Sequence, residues 1–366
     1  MESAHEPPSP PMTATLAPDE RRGEHPRPAR PSRAFRWAAR FIALAILAVA
    51  ALMFLGLAGL GDLVSVGGDD SIHEQYHSLD RHATQKVAII LVEGAILDGD
   101  GFVKKQIDKI RKDDDVKAVV LRVNSPGGTV TASDYLYHHL TRLTAERKLP
   151  LVVSMGGIAA SGGYYVSMAV GDTPESIFAE PTTWTGSIGV VIPHYNVAGL
   201  MEQWNVEEDS IKSHRLKQMG SPTRPMTEEE RQIFQALVND SFDRFKQIVK
   251  AGRPAFRNDE QALTKVATGQ VFTTRQALDN GLVDKEGFIE EAIERAIALA
   301  GLDKDKTKAV KYKRSGGLVD LFLSTAHSRS TPPSGVSQLA AILELTAPRA
   351  YYLCTWLPPL AVGGED

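Results

Sequence analysis

The sequence predicts an α/β protein with a largely parallel sheet, preceded by one N-terminal transmembrane helix. Three observations carry that expectation. From Lys86 onward, apolar β-branched runs alternate with helical patterns, and such alternation implies βαβ crossovers with helices packed on the faces of a sheet. Glycine-rich turns stand where the second and third strands should pass into helices. Finally, residues 41–60, FIALAILAVAALMFLGLAGL, contain no charge.

Taken in order, residues 1–34 are rich in Pro, Ser and Arg and lack hydrophobic periodicity. Segment 1–38 therefore cannot bury enough apolar area to offset its ordering entropy and is expected to be disordered. The apolar run places a transmembrane helix at 39–61, because twenty helical residues span about 30 Å, the thickness of the hydrocarbon core. A cleaved secretory signal is the rival. The preceding segment is too long for one, the apolar core is too long, and no clear A-x-A site follows. Arg21, Arg22, Arg27, Arg30, Arg33, Arg36 and Arg40 precede the span and Asp62, Asp69 and Asp70 follow it. The positive-inside rule then puts the N-terminus in the cytoplasm and the rest outside it.

Residues 62–84 read as a polar tether, and 85–311 as one domain. VAIILVEGAI (87–96), VKAVVLRV (116–123) and LPLVVSM (149–155) fit buried strands. FVKKQIDKIRKD (102–113) and TASDYLYHHLTRL (131–143) fit helices between them. A long helix covers 225–253, with Thr227 and Glu230 at capping-box spacing and Gly252 near its end, and another follows Glu286. Beyond residue 312 the rhythm gives way to a Ser/Pro-interrupted tail ending in late aromatics, APRAYYLCTWLPPLAV, a candidate for packing between subunits.

Composition narrows the chemistry. The 366 residues are 43% hydrophobic, enough for one or two domains with a sizeable core. The net charge of −4 points to no nucleic-acid partner. One cysteine, Cys354, rules out an intramolecular disulfide, and it reads as an idle thiol. No metal site or cofactor is expected.

NSPGGTV (124–130) follows the second strand, and ASGGYY (160–165) follows the third. In parallel α/β folds the carboxyl ends of neighbouring strands share the edge where ligands bind. Ser161 could be a helix cap or a nucleophile. As a nucleophile it would have its Oγ near the positive end of a helix and the Gly162 N–H free for a developing oxyanion. NSPGG alone could be a simple turn or a phosphate cradle, although the G-K-[ST] ending of a P-loop is missing. A serine needs a base. His138, His139, His194 and His214 are available without a distinguishing acid, and IKSHRLKQMGSP (211–222) offers Lys212 and Lys217. A lysine can serve if burial suppresses its charge, at a cost of about 4–5 kcal/mol.

VNSPGGTVTASDYLYHHL, GIAASGGYYVSMAV, TGSIGVV, IKSHRLKQMGSPTRPMTEEER and GQVFTTRQALDNGLVDKEGF occur in that order. Together they resemble the signal peptide peptidase SppA (protease IV) family, in its short, single-domain, membrane-anchored bacterial form. The similarity runs from about residue 86 to 300. The resemblance implies a ClpP/crotonase-like fold and a Ser–Lys dyad. In it Ser161 is the nucleophile, Lys217 the general base and Ser187 the residue that orients the lysine. Gly162 supplies one oxyanion donor, and Gly128, preferred over Gly127, supplies the other. His214 stands where the family usually has glycine, and Gln218 where Asp or Ser is common. The implied substrates are cleaved signal peptides and similar unfolded apolar peptides, on the extracytoplasmic side of the bacterial inner membrane. The implied assembly is a homo-oligomer in which Ser and Lys of one site can come from neighbouring subunits.

Three rivals remain. A crotonase-type CoA enzyme would need a carboxylate beside the second turn, and AASGGYY has none. A ClpP-like Ser–His protease would draw on His194. A catalytically inactive anchored scaffold would keep the fold without the chemistry.

Overall fold

A computed structural model describes residues 72–314 and 350–353. The segment 1–38, the span 39–61 and most of the tail lie outside the described residues. Along the chain the strands are β1 (Ile72–Leu79), β2 (Gln85–Glu93), β3 (Val116–Ser125), β4 (Gly127–Thr129), β5 (Leu151–Ala160) and β6 (Ile177–Ala179). They continue with β7 (Trp184–Gly186), β8 (Val271–Thr273), β9 (Lys285–Glu286), β10 (Thr307–Arg314) and β11 (Tyr351–Leu353). The helices are α1 (Phe102–Arg111), α2 (Val130–Arg147), α3 (Gly162–Ser167), α4 (Ala198–Gln203), α5 (Glu228–Gly252), α6 (Glu260–Val266), α7 (Thr274–Asp279) and α8 (Ile289–Ala300).

The main sheet has the order β1-β10-β2-β3-β5-β6-β9. Every neighbouring pair from β10 to β9 along this path is parallel, and the edge strand β1 runs antiparallel to β10. Near its carboxyl end β5 pairs in parallel with β7, which in turn pairs antiparallel with β8. The central strands are apolar along their whole length because both faces are covered. On one face Val87, Ile89, Ala118, Val120 and Val152 pack under Ala292, Ile293, Ala296 and Ile297 of α8. On the other, Ala88, Ile90, Val119 and Leu121 meet Ile107 and Ile110 of α1, Leu136 and Leu140 of α2, and Phe245 of α5. Each of the larger of these side chains (Val, Leu, Ile and Phe), fully buried, contributes about 1.5–3 kcal/mol.

Several boundaries differ from the expectation. The stretch expected to be a tether contains β1, whose sequence IHEQYHSL has no apolar alternation because its side chains lie along a half-exposed edge. Backbone pairing to β10 holds it, and the Lys86 ammonium bridges Glu74 and Asp113 at 2.9 Å each. The third strand runs on to Ala160, past the Gly156–Gly157 pair, with a register irregularity opposite Val123–Ser125. Helix α2 starts where the Thr129 hydroxyl accepts the Ala132 N–H and runs four residues past the apolar spacing, to a left-handed Lys148 whose N–H donates to the Thr144 carbonyl. Helix α5 carries the capping box that its sequence announces. The Thr227 hydroxyl accepts the Glu230 N–H at 3.3 Å, and the Glu230 carboxylate accepts the Thr227 N–H at 3.0 Å.

Candidate active site

The carboxyl end of β5 delivers Ser161. β7 runs beside it with Gly186 opposite Ala160, and the Ser161 N–H donates to the Gly186 carbonyl at 2.8 Å. The chain then turns at once into α3, where the Tyr165 N–H donates to the Ser161 carbonyl at 2.8 Å. This tight exchange of strand for helix forces Ser161 to φ +55° and ψ −114°, a region that non-glycine residues rarely occupy. Such backbone strain costs on the order of 1–3 kcal/mol and is retained where the surroundings over-determine it. Ser161 is 1% exposed, and its hydroxyl does not cap α3.

The NSPGG turn packs directly against this corner. Gly127 has φ +105°, and a Cβ there would lie 2.0 Å from the Tyr352 carbonyl oxygen and 2.7 Å from the Gly162 nitrogen. A Cβ on Gly162 would lie 2.5 Å from Ser133 Oγ and 3.0 Å from the Gly128 nitrogen. Both glycines are therefore demanded by close backbone approach. The Ser133 hydroxyl is itself fixed, donating to the Thr129 carbonyl at 2.9 Å. The two neighbouring amides differ. The Gly127 N–H already donates to Ser125 Oγ at 3.1 Å. Ile96 bonds the Gly127 carbonyl and the Thr129 N–H, both at 2.9 Å, so the Gly128 amide between them points to the opposite edge.

Ser187 follows the Gly186 carbonyl that holds Ser161. It is 6% exposed with φ +52°; its N–H donates to the Gln270 carbonyl at 2.7 Å and its hydroxyl to the Gly269 carbonyl at 3.1 Å. Ser161, Gly162, Gly127, Gly128 and Ser187 thus converge on one corner. Lys217 sits on an exposed 3-10 turn, Arg215–Gln218, and no hydrogen bond links it to Ser161 or Ser187.

The two departures from the family pattern hold that turn. His214 Nδ1 accepts the Leu216 N–H at 3.3 Å as its cap. The Gln218 carboxamide joins the Lys212 ammonium to Glu208, and its carbonyl accepts from Arg224 at 3.0 Å. Arg224 forms a two-pronged pair with Glu230. The guanidinium bonds, outweighing burial, hold the Glu230 carboxyl down to about 2. The histidines stand apart from Ser161: His194 Nε2 lies 3.4 Å from the Ser221 carbonyl, His138 is exposed, and His139 is half-buried.

Several residues of this corner escaped sequence reasoning. Tyr165 lies one helical turn beyond Ser161, and its hydroxyl donates to Asp134 at 2.5 Å, with Arg244 also on that carboxylate at 2.9 Å. Burial and the Asp134 bond push the Tyr165 hydroxyl well above its ordinary range. Asp134 and Arg244 sit on α2 and α5, 110 positions apart, so no local spacing connects them. Ser125 and Ser133 read as ordinary loop and helix polar residues.

A buried serine on a strained strand-to-helix corner, facing backbone amides of a second glycine turn, is the arrangement of a serine hydrolase. Comparison with known proteins narrows that class. The profile of peptidase family S49 matches residues 144–303. A candidate protease of Synechocystis sp. is 39% identical over 227 residues, covering 61% of this chain and 78% of that protein. A candidate signal peptide peptidase SppA of Enterococcus faecium is 38% identical over 189 residues, 52% of this chain and 53% of that protein. Protease 4 of Salmonella typhi is 39% identical over 225 residues, 59% of this chain but 35% of that longer protein. The chain thus spans about half or less of the last two relatives. It belongs to the SppA (protease IV) family of S49 serine peptidases.

Proposed function

We propose that the chain is a membrane-anchored endopeptidase with a ClpP/crotonase-like fold and a Ser161–Lys217 dyad. The observation that carries the reading is the corner itself, where Ser161 is strained, buried and pressed against the Gly127–Gly128 turn. In the reaction, neutral Lys217 takes the Ser161 proton as Oγ attacks a peptide carbonyl. The Gly162 and Gly128 amides receive the oxyanion, while the Gly127 amide stays with Ser125. Lys217 then protonates the leaving amine, and water hydrolyses the acyl-enzyme. Ser187, one residue beyond the carbonyl that positions Ser161, orients the lysine. The chemistry calls for no metal or cofactor.

Lys217 lies on an exposed turn, and a lysine serves as a base where a desolvated surrounding disfavours its charge, so the reading calls for a covering surface. Tyr195, Leu200, Trp204 and Ile211 are also exposed in the same region of chain. Both features support assembly of identical subunits, with Lys217 of one copy meeting Ser161 of another. The span 39–61 would tether this assembly to the inner membrane with the catalytic domain outside the cytoplasm. There, cleaved signal peptides and other unfolded apolar peptides are the substrate class. No helix among the described residues is long and apolar enough to cross a membrane.

The test is hydrolysis of apolar peptides by the full chain in detergent, with Ser161→Ala, Lys217→Ala and Lys212→Ala in parallel. The dyad reading expects the first two to be inactive and the third to keep most activity. Normal cleavage by Lys217→Ala would shift the base to Lys212 or His194. A folded, inactive parent would favour the scaffold.

A further inference from the structure

Helix α3 is six residues long and opens with Gly162 and Gly163, so its first turn carries no side chain that could fix its angle. Packing sets how closely this turn approaches its neighbours. A Cβ on Gly162 would lie 3.1 Å from the Gly127 Cα, and one on Gly163 would lie 2.7 Å from the Ser125 carbonyl oxygen. Orientation is left to the next two residues, Tyr164 and Tyr165, both fully buried. On one flank the Tyr164 hydroxyl donates to the Leu282 carbonyl at 2.8 Å. On the other the Tyr165 hydroxyl donates to Asp134 Oδ1 at 2.5 Å. Arg244 of α5 donates to the same oxygen, through Nη2 at 2.9 Å and Nε at 3.2 Å.

The position of Asp134 in the chain gives this bond its consequence. Helix α2 grows directly out of the 127–128 turn, with Thr129 as its N-cap, and Asp134 lies in its second turn. Tyr165 lies one turn beyond Ser161, to whose carbonyl its own N–H donates at 2.8 Å. The Tyr165–Asp134 bond therefore straps together the two segments that carry the Gly128 and Gly162 amides. A hydroxyl donating to a carboxylate makes a short, strong bond. Tyr137, edge-on at 5.7 Å, and Phe245, at 5.0 Å, hold the Tyr165 ring in place to make it. The Arg244–Asp134 pair is half-exposed and adds little by itself, but it fixes the carboxylate that receives the hydroxyl. We infer that Tyr165 is a positioning residue for the reaction, which through Asp134 and Arg244 sets the spacing of the Gly162 and Gly128 amides. This inference rests on the peptidase reading above.

The experiment uses the full chain in detergent, an apolar peptide substrate, and a fluorophosphonate probe, whose phosphorus bonds Ser161 Oγ as fluoride leaves. Tyr165→Phe keeps the ring and removes the bond. Loss of a whole oxyanion donor costs about 10²–10³-fold in kcat, so a slackened pair of amides should cost about ten-fold. Labelling should reach the parental final fraction about ten-fold more slowly, and kcat should fall by a similar factor with KM within about two-fold. Asp134→Ala should match it, and the double variant should be no slower than either single one. Asp134→Asn keeps an acceptor for the Tyr165 hydroxyl and should restore most of the parental rate. A merely structural role would instead lower the final labelled fraction and leave the rate at each labelled site unchanged, and that result overturns the inference. So does a parental rate in Tyr165→Phe. Asp134→Asn as slow as Asp134→Ala would assign the effect to the Arg244 ion pair and overturn it too. Failure of the parent itself to take the probe at Ser161 is a separate outcome, which would overturn the peptidase reading and this inference with it.

Discussion

The Ser161 corner and the Lys217 turn are built in opposite ways. Ser161's own backbone groups are held within one chain: Gly186 holds its N–H, Tyr165 its carbonyl, and the 127–128 turn leaves no room for a single added carbon. Around Lys217, side-chain bonds on an exposed surface hold a short turn, and apolar residues nearby have no cover. The difference teaches that the Ser161 side of the proposed dyad is built within one chain, whereas Lys217 lies on an exposed turn that another surface would have to cover. Preorganised amides must be rigid because they act without reorganising. The lysine can wait for a covering surface.

Substitutions sharpen this contrast, beginning with the largest expected effect. Ser161→Ala should lower kcat by at least about 10⁴-fold, measured as peptide hydrolysis, while the folded state persists. Lys217→Ala should lose a similar factor, yet shift unfolding free energy by no more than about 0.5 kcal/mol in urea titration, because its side chain is exposed. Lys217→Arg should not rescue, since a guanidinium keeps its proton. A large loss of stability in Lys217→Ala would break the comparison.

Glycines test the same contrast through packing. Gly127→Ala should cost about 3 kcal/mol or more, because its Cβ would strike backbone at 2.0 Å and the position needs φ +105°. Gly199→Ala, in α4 on the exposed side, meets no atom within 4 Å and should be stabilising by up to about 1 kcal/mol. Equal penalties at the two sites would show that the corner is not the tighter region.

The smallest effect is acid sensitivity at the root of the Lys217 segment. The Glu230 carboxyl is held at about 2 by Arg224, below the ordinary value of 4.5. A carboxyl depressed in the folded state stabilises fully above its ordinary value, and that contribution is lost as pH falls from about 4.5 towards 2. Glu230→Gln should therefore lower stability at neutral pH and flatten its decline over that window, followed by thermal melts.

Much of this architecture was legible in the sequence, for physical reasons. The continuous apolar runs of β2, β3 and β5 are the signature of strands covered on both faces, and the Thr227–Glu230 cap is local chemistry at fixed spacing. Ser161 and both glycine turns were visible because glycine next to a strand end signals close backbone approach. β1 was not legible, since an edge strand held by backbone pairing carries no apolar alternation. Nor was the placement of Tyr351 and Tyr352, since Val191, which pairs with Tyr351, and Tyr165 and Phe245, which pack on Tyr352, lie far away in the chain. The positions of Tyr351 and Tyr352 are set by tertiary contacts that no local pattern encodes.

The central claim, that a complete Ser161 corner is served by a Lys217 from another copy, is tested most directly by mixing. Full-length Ser161→Ala and Lys217→Ala chains, each inactive alone, would be dissociated, combined in equal amounts and reassembled. Head-to-tail contacts between copies predict recovery of about one quarter of the parental peptidase activity, since half the neighbours at random supply each intact residue. A mixture as inactive as either variant, in assemblies shown to contain both chains, would contradict the account.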